Sequence, residues 1–176
     1  TLHNLPSTIH NDCSALLSVC PYYNKPSQEG LYQHFVAIAK ASPVPIILYN
    51  VPGRTGVNLL PETVLRIWQA NPEKVLGIKE ASGNIEQIQH LIDLVKDGLG
   101  LFSVVQQPFL VISGDDALAA DVLRMGGAGL ISVASNAWAK EFAQIVHQKD
   151  MNLQARFAPM IRLLFAEGNP SDIKTV

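Results

Sequence analysis

Residues 75–84 read V-L-G-I-K-E-A-S-G-N, a short apolar run that climbs to Lys79 and then breaks into small polar residues able to start a helix. Removing an amine from water favours its uncharged form, and the uncharged amine is the form that attacks carbonyls. A lysine placed this way is what Schiff-base chemistry needs. A strand-end lysine that reaches its charged head back to solvent leaves the same pattern, so the rest of the chain must separate the two readings.

Other chemistry-bearing residues collect at matching places. Tyr22, Tyr23, Asn24 and Lys25 follow a first apolar run; Tyr49, Asn50 and Arg54 end and follow a second. Lys79 and Glu80 close the third, Gly114, Asp115 and Asp116 the fourth, and Ser132, Ser135 and Asn136 the fifth. Tyr49 offers a phenol that passes protons if it lies beside Lys79; the alternative is an aromatic that finishes the core. Arg54 sits in a V-P-G-R-T-G turn and has the planar guanidinium suited to gripping a carboxylate, or is a solvated loop residue. Tyr22 and Tyr23 suit either the cover of a barrel mouth or a subunit contact. Asp115-Asp116 after Gly114 reads as a helix N-cap rather than a metal or acid pair. The five histidines (His3, His10, His34, His90, His147) are scattered, so no metal centre is expected. Cys13 and Cys20 lack zinc or redox spacing and are expected as free thiols in a reducing compartment.

The elements that must position these residues follow from hydrophobic periodicity. Apolar runs at 15–19, 44–49, 75–79, 109–113 and 129–133 predict strands. Helices are predicted over 27–40, with Ser27 as N-cap, and over 61–70, with Pro61 in the first turn. Further helices are predicted over 85–96, 117–125 (closed by Gly126-Gly127), 137–147 and 153–166. Residues 1–14 look like the tail of a helix disturbed by Pro6, 50–58 like a loop rich in turn residues, and 102–108 like a long connection. Strands alternating with amphipathic helices mean βα units on a parallel sheet, read as one domain over 1–176. No G-x-G-x-x-G follows a strand, which removes the commonest dinucleotide-binding signature. A closed (β/α)8 barrel needs about 250 residues and eight strands, so the expectation is an open sheet or an incomplete barrel of about five units. In a barrel, the strand ends singled out above are where an active site forms.

Bulk properties narrow the function class. The chain has 176 residues, 48% hydrophobic and 16% charged, with net charge −2, an ordinary globular composition. That charge argues against nucleic-acid or anionic-membrane partners. No run approaches the roughly eighteen apolar residues of a membrane span, and residues 1–14 lack the basic start and apolar centre of a signal peptide. A cytoplasmic location is expected.

The motifs P-Y-Y-N-K-P-S-Q-E-G-L-Y-Q-H-F, Y-N-V-P-G-R-T-G, G-I-K-E-A-S-G-N, S-G-D-D and G-L-I-S-V occur in this order from Pro21 to Val133. Together they closely resemble the 4-hydroxy-tetrahydrodipicolinate synthase (dihydrodipicolinate synthase) family of pyruvate-dependent Schiff-base aldolases, over most of the chain. The resemblance implies an α/β (β/α)8 TIM barrel, here incomplete. It implies a lyase of lysine and diaminopimelate biosynthesis that joins pyruvate to L-aspartate 4-semialdehyde with no metal or organic cofactor. Position by position, it makes Lys79 the Schiff-base amine and Tyr49 the proton relay. Arg54 becomes the residue that holds the semialdehyde carboxylate. Tyr23 reaches across a subunit interface of a homodimer or tetramer, and Gly114 and Ile131 lie against pyruvate. N-acetylneuraminate lyases share the lysine and the relay tyrosine, but generally lack the arginine and the P-Y-Y-N pair. A non-catalytic remnant of the synthase is the other alternative.

The departures from the family pattern set further expectations. The family's T-T-G-E motif, whose threonines serve the relay and the pyruvate carboxylate, does not occur in the sequence. Cys20 stands where the family usually has threonine, and N-P-S-D-I-K stands for N-P-x-P-V-K. The absent motif is expected of a synthase sequence missing its N-terminal βα units and C-terminal helices, and Cys20 is read as a tolerated packing change. Such a piece exposes strand edges and an apolar face.

Overall fold

The computed structural model describes residues 13–101 and 108–175. The helix tail expected in 1–14 and the long connection expected in 102–108 therefore fall, for 1–12 and 102–107, outside the described residues. The described chain is α/β: five parallel strands alternate with helices, and the contacts divide it into two compact units that meet at Val111 and Ile112.

In the first unit β1 (Leu16–Val19) leads to α1 (Gln28–Ala41), whose N-cap is Ser27 as its sequence predicts. The Ser27 Oγ accepts the Gly30 N–H at 3.2 Å, and Glu29 and Lys40 sit at the ends of the helix that favour their charges. The chain then forms β2 (Ile46–Asn50), α2 (Pro52–Thr55), α3 (Pro61–Ala70), β3 (Val75–Glu80) and α4 (Ile85–Leu101). Helix α2 is a single turn inside the segment expected as loop. Pro52 enters it at its first positions, and Gly56, at φ 72°, closes it in the left-handed region. Helix α4 runs five residues beyond the expected 96. Gly98 does not stop it, because the missing side chain is used for packing: a Cβ there would lie 3.2 Å from Leu65 Cδ1 and 3.5 Å from Trp68 Cζ3 of α3.

β1, β2 and β3 pair in parallel, with Val19 opposite Tyr49 and Tyr49 opposite Lys79. Their side chains alternate between two faces. Ile46, Leu48, Asn50, Ile78 and Glu80 are buried, together with Leu31, Phe35, Val64, Ile67 and Trp68 of the helices. Ile47, Tyr49 and Lys79 are half-buried, and Leu17 is 48% exposed. The long apolar strands promise cover on both faces; among the described residues the second face is the more open one. β4 (Leu110–Ser113) starts beside β3, with the Leu110 backbone against Gly77.

In the second unit the end of β4 pairs with β5 (Gly129–Leu130), Ile112 opposite Gly129 and Ser113 opposite Leu130. A 3-10 turn (Asp116–Leu118) and α5 (Ala119–Met125) connect them. β5 is two residues long rather than the expected five, and the reason is local. The Asp116 Oδ2 accepts the N–H groups of Val133 and Ala134, both at 3.0 Å. These bonds turn the chain out of the ladder and into a 3-10 turn, Ala134–Asn136. α6 (Ala139–Gln148) and α7 (Met151–Leu163) complete a core of Ala119, Ala120, Ala134, Phe142, Ile145, Ile161 and Leu164. Gln154 is buried within it and fully used: it accepts the Ala120 N–H at 2.7 Å and donates to the Ala117 carbonyl at 2.9 Å.

Both cysteines are free, but unequal. Burial, and secondarily the charge of Glu80, push the Cys20 thiol up to about 12, while Cys13 is only partly covered. A thiol reagent at neutral pH is expected to modify Cys13 and to leave Cys20 untouched until denaturant is added. Equal rates at both sites would contradict the packing around Cys20.

Candidate active site

The candidate site of the first unit is built on the C-terminal ends of β2 and β3. Because Tyr49 and Lys79 are in register, adjacent strands project them from neighbouring positions on the same, more open face. The Lys79 Nζ lies over the Tyr49 ring, 4.3 Å from its centroid. A ring face attracts an ammonium group, so the aromatic holds the amine at the strand ends instead of letting it swing to solvent. Half-burial leaves that amine within reach of a small molecule.

The next register pair, Asn50 and Glu80, points to the buried face. The Asn50 Nδ2 donates to Glu80 Oε2 at 3.0 Å and to Asn58 Oδ1 at 2.9 Å, and its Oδ1 accepts the Leu59 N–H at 3.0 Å. The Ser82 N–H donates to Glu80 Oε1 at 2.6 Å. Burial raises the Glu80 carboxyl above its usual range, and these hydrogen bonds oppose the rise. The sequence marks Asn50 and Glu80 as polar strand-end residues but contains nothing that pairs them; only their register does.

Arg54 is exposed on α2, four residues past the end of β2. Tyr23 is 91% exposed on the loop after β1 and takes φ 70°, with Lys25 also at positive φ. Left-handed backbone at a bulky residue is uncommon and marks a locally constrained loop. That loop lies beside the turn that carries Arg54, since the Lys25 side chain packs against Gly56. The structure thus brings Tyr49 and Lys79 together, while Arg54 stands on the turn that follows β2.

Gly114 and Ile131 belong to the second unit, where they follow β4 and β5. The Ile131 N–H donates to the Ser113 carbonyl at 2.9 Å, so the two strand ends lie side by side. Asp115 caps the 3-10 turn through the Ala117 N–H at 2.8 Å, as its sequence predicts. Asp116 serves the β5 loop instead. Among the described residues no group of three or more His, Cys, Asp or Glu is placed to hold a metal ion, and no helix is long and apolar enough to cross a membrane.

Residues 10–176 match the sequence model of the dihydrodipicolinate synthetase family. The 4-hydroxy-tetrahydrodipicolinate synthase of Flavobacterium psychrophilum is 47% identical over 171 residues, covering 93% of this chain and 54% of that protein. The synthase of Sodalis glossinidius is 46% identical over 165 residues, covering 90% and 52%. In structure, the dihydrodipicolinate synthase of Thermotoga maritima superposes with a TM-score of 0.82 at 40% identity, covering 90% of this chain and 54% of that one. The chloride-inhibited Acinetobacter baumannii enzyme, solved with pyruvate, superposes at 0.83 and 38% identity, covering 93% and 55%. The chain thus spans about half the length of the curated relatives it matches, and its βα units are those of an incomplete (β/α)8 barrel. With that match over nearly all its residues and with this backbone, the chain belongs to the dihydrodipicolinate synthetase family.

Proposed function

We propose that this sequence serves a Schiff-base lyase that condenses pyruvate with L-aspartate 4-semialdehyde to 4-hydroxy-tetrahydrodipicolinate. The observation that carries the reading is the Lys79 amine held over Tyr49 on the more open side of the strand ends. The uncharged Lys79 amine attacks C2 of pyruvate; loss of water from the carbinolamine leaves a protonated imine. Loss of a C3 proton then gives an enamine. Its C3 attacks the aldehyde carbon of the semialdehyde, forming the new carbon–carbon bond, and cyclisation onto the substrate amine frees Lys79. Tyr49, beside Lys79, is the group placed to relay protons to and from these atoms.

Arg54, on the turn beyond β2, holds the semialdehyde carboxylate in the geometry a guanidinium favours. Gly114 and Ile131 line the pyruvate. Tyr23, exposed on its constrained loop, reaches the site of a neighbouring copy in a homo-oligomer, dimer or tetramer. The cycle as written calls for no metal or organic cofactor and takes place in the cytoplasm.

Borohydride reduction in the presence of pyruvate, followed by peptide mapping, tests the reading: the adduct is expected on the peptide that contains Lys79. Absence of any adduct would overturn it. Arg54→Ala is expected to leave pyruvate trapping within about threefold while reducing semialdehyde turnover about a hundredfold or more, since a lost charged hydrogen bond of this kind costs several kcal/mol. Equal loss in both steps would remove Arg54 from that role.

A further inference from the structure

The apolar stretches of the strands that carry Tyr49 and Lys79 contain no polar pair that fixes how they align. Ile46, Ile47 and Leu48 face Val75, Gly77 and Ile78, all apolar, and the ladder already skips one residue between Ile46 and Ile47. A slip of one residue turns a whole strand over. Such a slip at the end of β3 would carry Lys79 to the helix-covered face and Glu80 to the open one. The specific contact at this level is the Asn50–Glu80 hydrogen bond of 3.0 Å, between residues 30 apart in sequence and both almost fully buried.

We infer that Asn50 and Glu80 are positioning residues, whose buried hydrogen bond sets the register of β2 against β3 and thereby holds the Lys79 amine over the Tyr49 ring. Its catalytic meaning rests on the function proposed above; its geometric content does not. The pair is braced from both sides. Asn50 is tied to Leu59, just before α3, and to Asn58, which exchanges side-chain hydrogen bonds of 2.7 and 3.2 Å with Gln87 of α4. Glu80 is tied to the Ser82 N–H at the entry to α4. A one-residue slip of β3 breaks these bonds, carries Lys79 into the helix-covered face and leaves the buried Asn50 amide without its carboxylate partner, which is costly. Glu80 touches no reacting atom in this scheme; it acts through the strand.

The polarity of the pair allows a test that packing alone would not pass. Asn50→Asp sets two carboxyl groups against each other, and Glu80→Gln leaves one oxygen for two donors, the Asn50 Nδ2 and the Ser82 N–H, so that one of the two bonds is lost. The double variant Asn50→Asp/Glu80→Gln restores an acceptor facing a donor, with the amides of Asn58 and Gln87 free to rotate together. The full chain is labelled with lysine carrying 13C at Cε, and the Lys79 resonance is assigned with Lys79→Arg. In the unsubstituted chain its ε-methylene protons are expected upfield, under the ring current of Tyr49. Each single variant is expected to move them to the ordinary lysine position, and the double variant to bring them back. Pyruvate trapping at saturating pyruvate is expected to fall about tenfold in each single variant, as for a misplaced reacting group, and to recover to within about threefold in the double.

Circular dichroism establishes that each variant is folded. If one single variant unfolds, Glu80→Asp, which withdraws the carboxylate by one methylene, takes its place with the same expected loss of the upfield shift. An unchanged upfield resonance in folded single variants overturns the inference, as does a double variant no better than the worse single. If the unsubstituted chain traps no pyruvate, the Schiff-base reading fails, and the resonance cycle still decides the positioning role.

Discussion

Lys79→Ala and Lys79→Arg are both expected to remove trapped pyruvate from the chain, lowering adduct formation by at least about a thousandfold, the scale on which loss of a covalent nucleophile acts. The two substitutions fail for different reasons, and that difference makes them informative. Alanine removes both the amine and its contact with the Tyr49 ring. Arginine keeps a cation that stacks on an aromatic face, but it does not lose its proton in proteins and so supplies no nucleophile. A lysine that merely decorates a strand end would tolerate arginine, and its loss would leave chemistry elsewhere in the chain undisturbed. Mass spectrometry of the reduced, digested protein reads the result directly. Adduct formed at the parental level in either variant would transfer the carbonyl chemistry away from Lys79. Tyr49→Phe, which keeps the ring under the amine but deletes the hydroxyl, separates the two contributions of that residue: the adduct still forms, more slowly by about a hundredfold, as expected for a lost proton relay.

Gly77→Ala is the second large effect, and it acts on stability. A Cβ at position 77 would run into the carbonyl oxygen of Leu110 and lie 2.8 Å from the Leu110 Cβ. Both are atoms of the neighbouring strand's backbone or its immediate branch, so no rotamer change relieves the collision. β3 and β4 must move apart, just two residues before Lys79. Overpacking usually costs 1–3 kcal/mol, and with backbone as the obstacle about 3 kcal/mol or more is expected. Gly53→Ala is the matched control. It lies within helix α2 with nothing inside 4 Å of its would-be Cβ, so alanine there is expected to be neutral or stabilising by up to about 1 kcal/mol. Denaturant midpoints of the two variants measure the contrast. A Gly77→Ala chain within about 0.5 kcal/mol of the parent would contradict the close approach of β4 to Gly77.

The two experiments meet in the same short motif. In G-I-K-E the glycine admits the neighbouring strand, the isoleucine fills the helix-covered core, the lysine faces the open side and the glutamate returns to the covered one. Four consecutive residues thus serve three different environments, which is why the motif reads so sharply in sequence.

Much of the chain was legible because its signals are local. Ser27 accepts a backbone N–H three residues on, Pro61 starts its helix, and Gly126 closes another in the left-handed region. The alternation of apolar runs with amphipathic helices was enough to place every strand within a residue or two at its start. The expectations that shifted depend on partners far away in the chain. The 3-10 turn that cuts β5 to two residues is set by Asp116, seventeen residues upstream. Helix α4 continues through Gly98 because Trp68 and Leu65 of α3 occupy the space where a side chain would be. The single turn of α2 escaped because its proline and glycine signals stand only four residues apart, within what also reads as a turn.

By itself the sequence determined the βα order, the family motifs, the lysine and tyrosine at strand ends and the arginine on the turn beyond, since residue type and short-range spacing carry all of these. Only the tertiary structure decided that Tyr49 and Lys79 share one face, and that Asn50 and Glu80 close a buried hydrogen bond behind them. Facing depends on a two-residue period, and register on the pairing of segments 30 residues apart. A change of one residue in that pairing inverts the site without altering the composition or spacing of either strand.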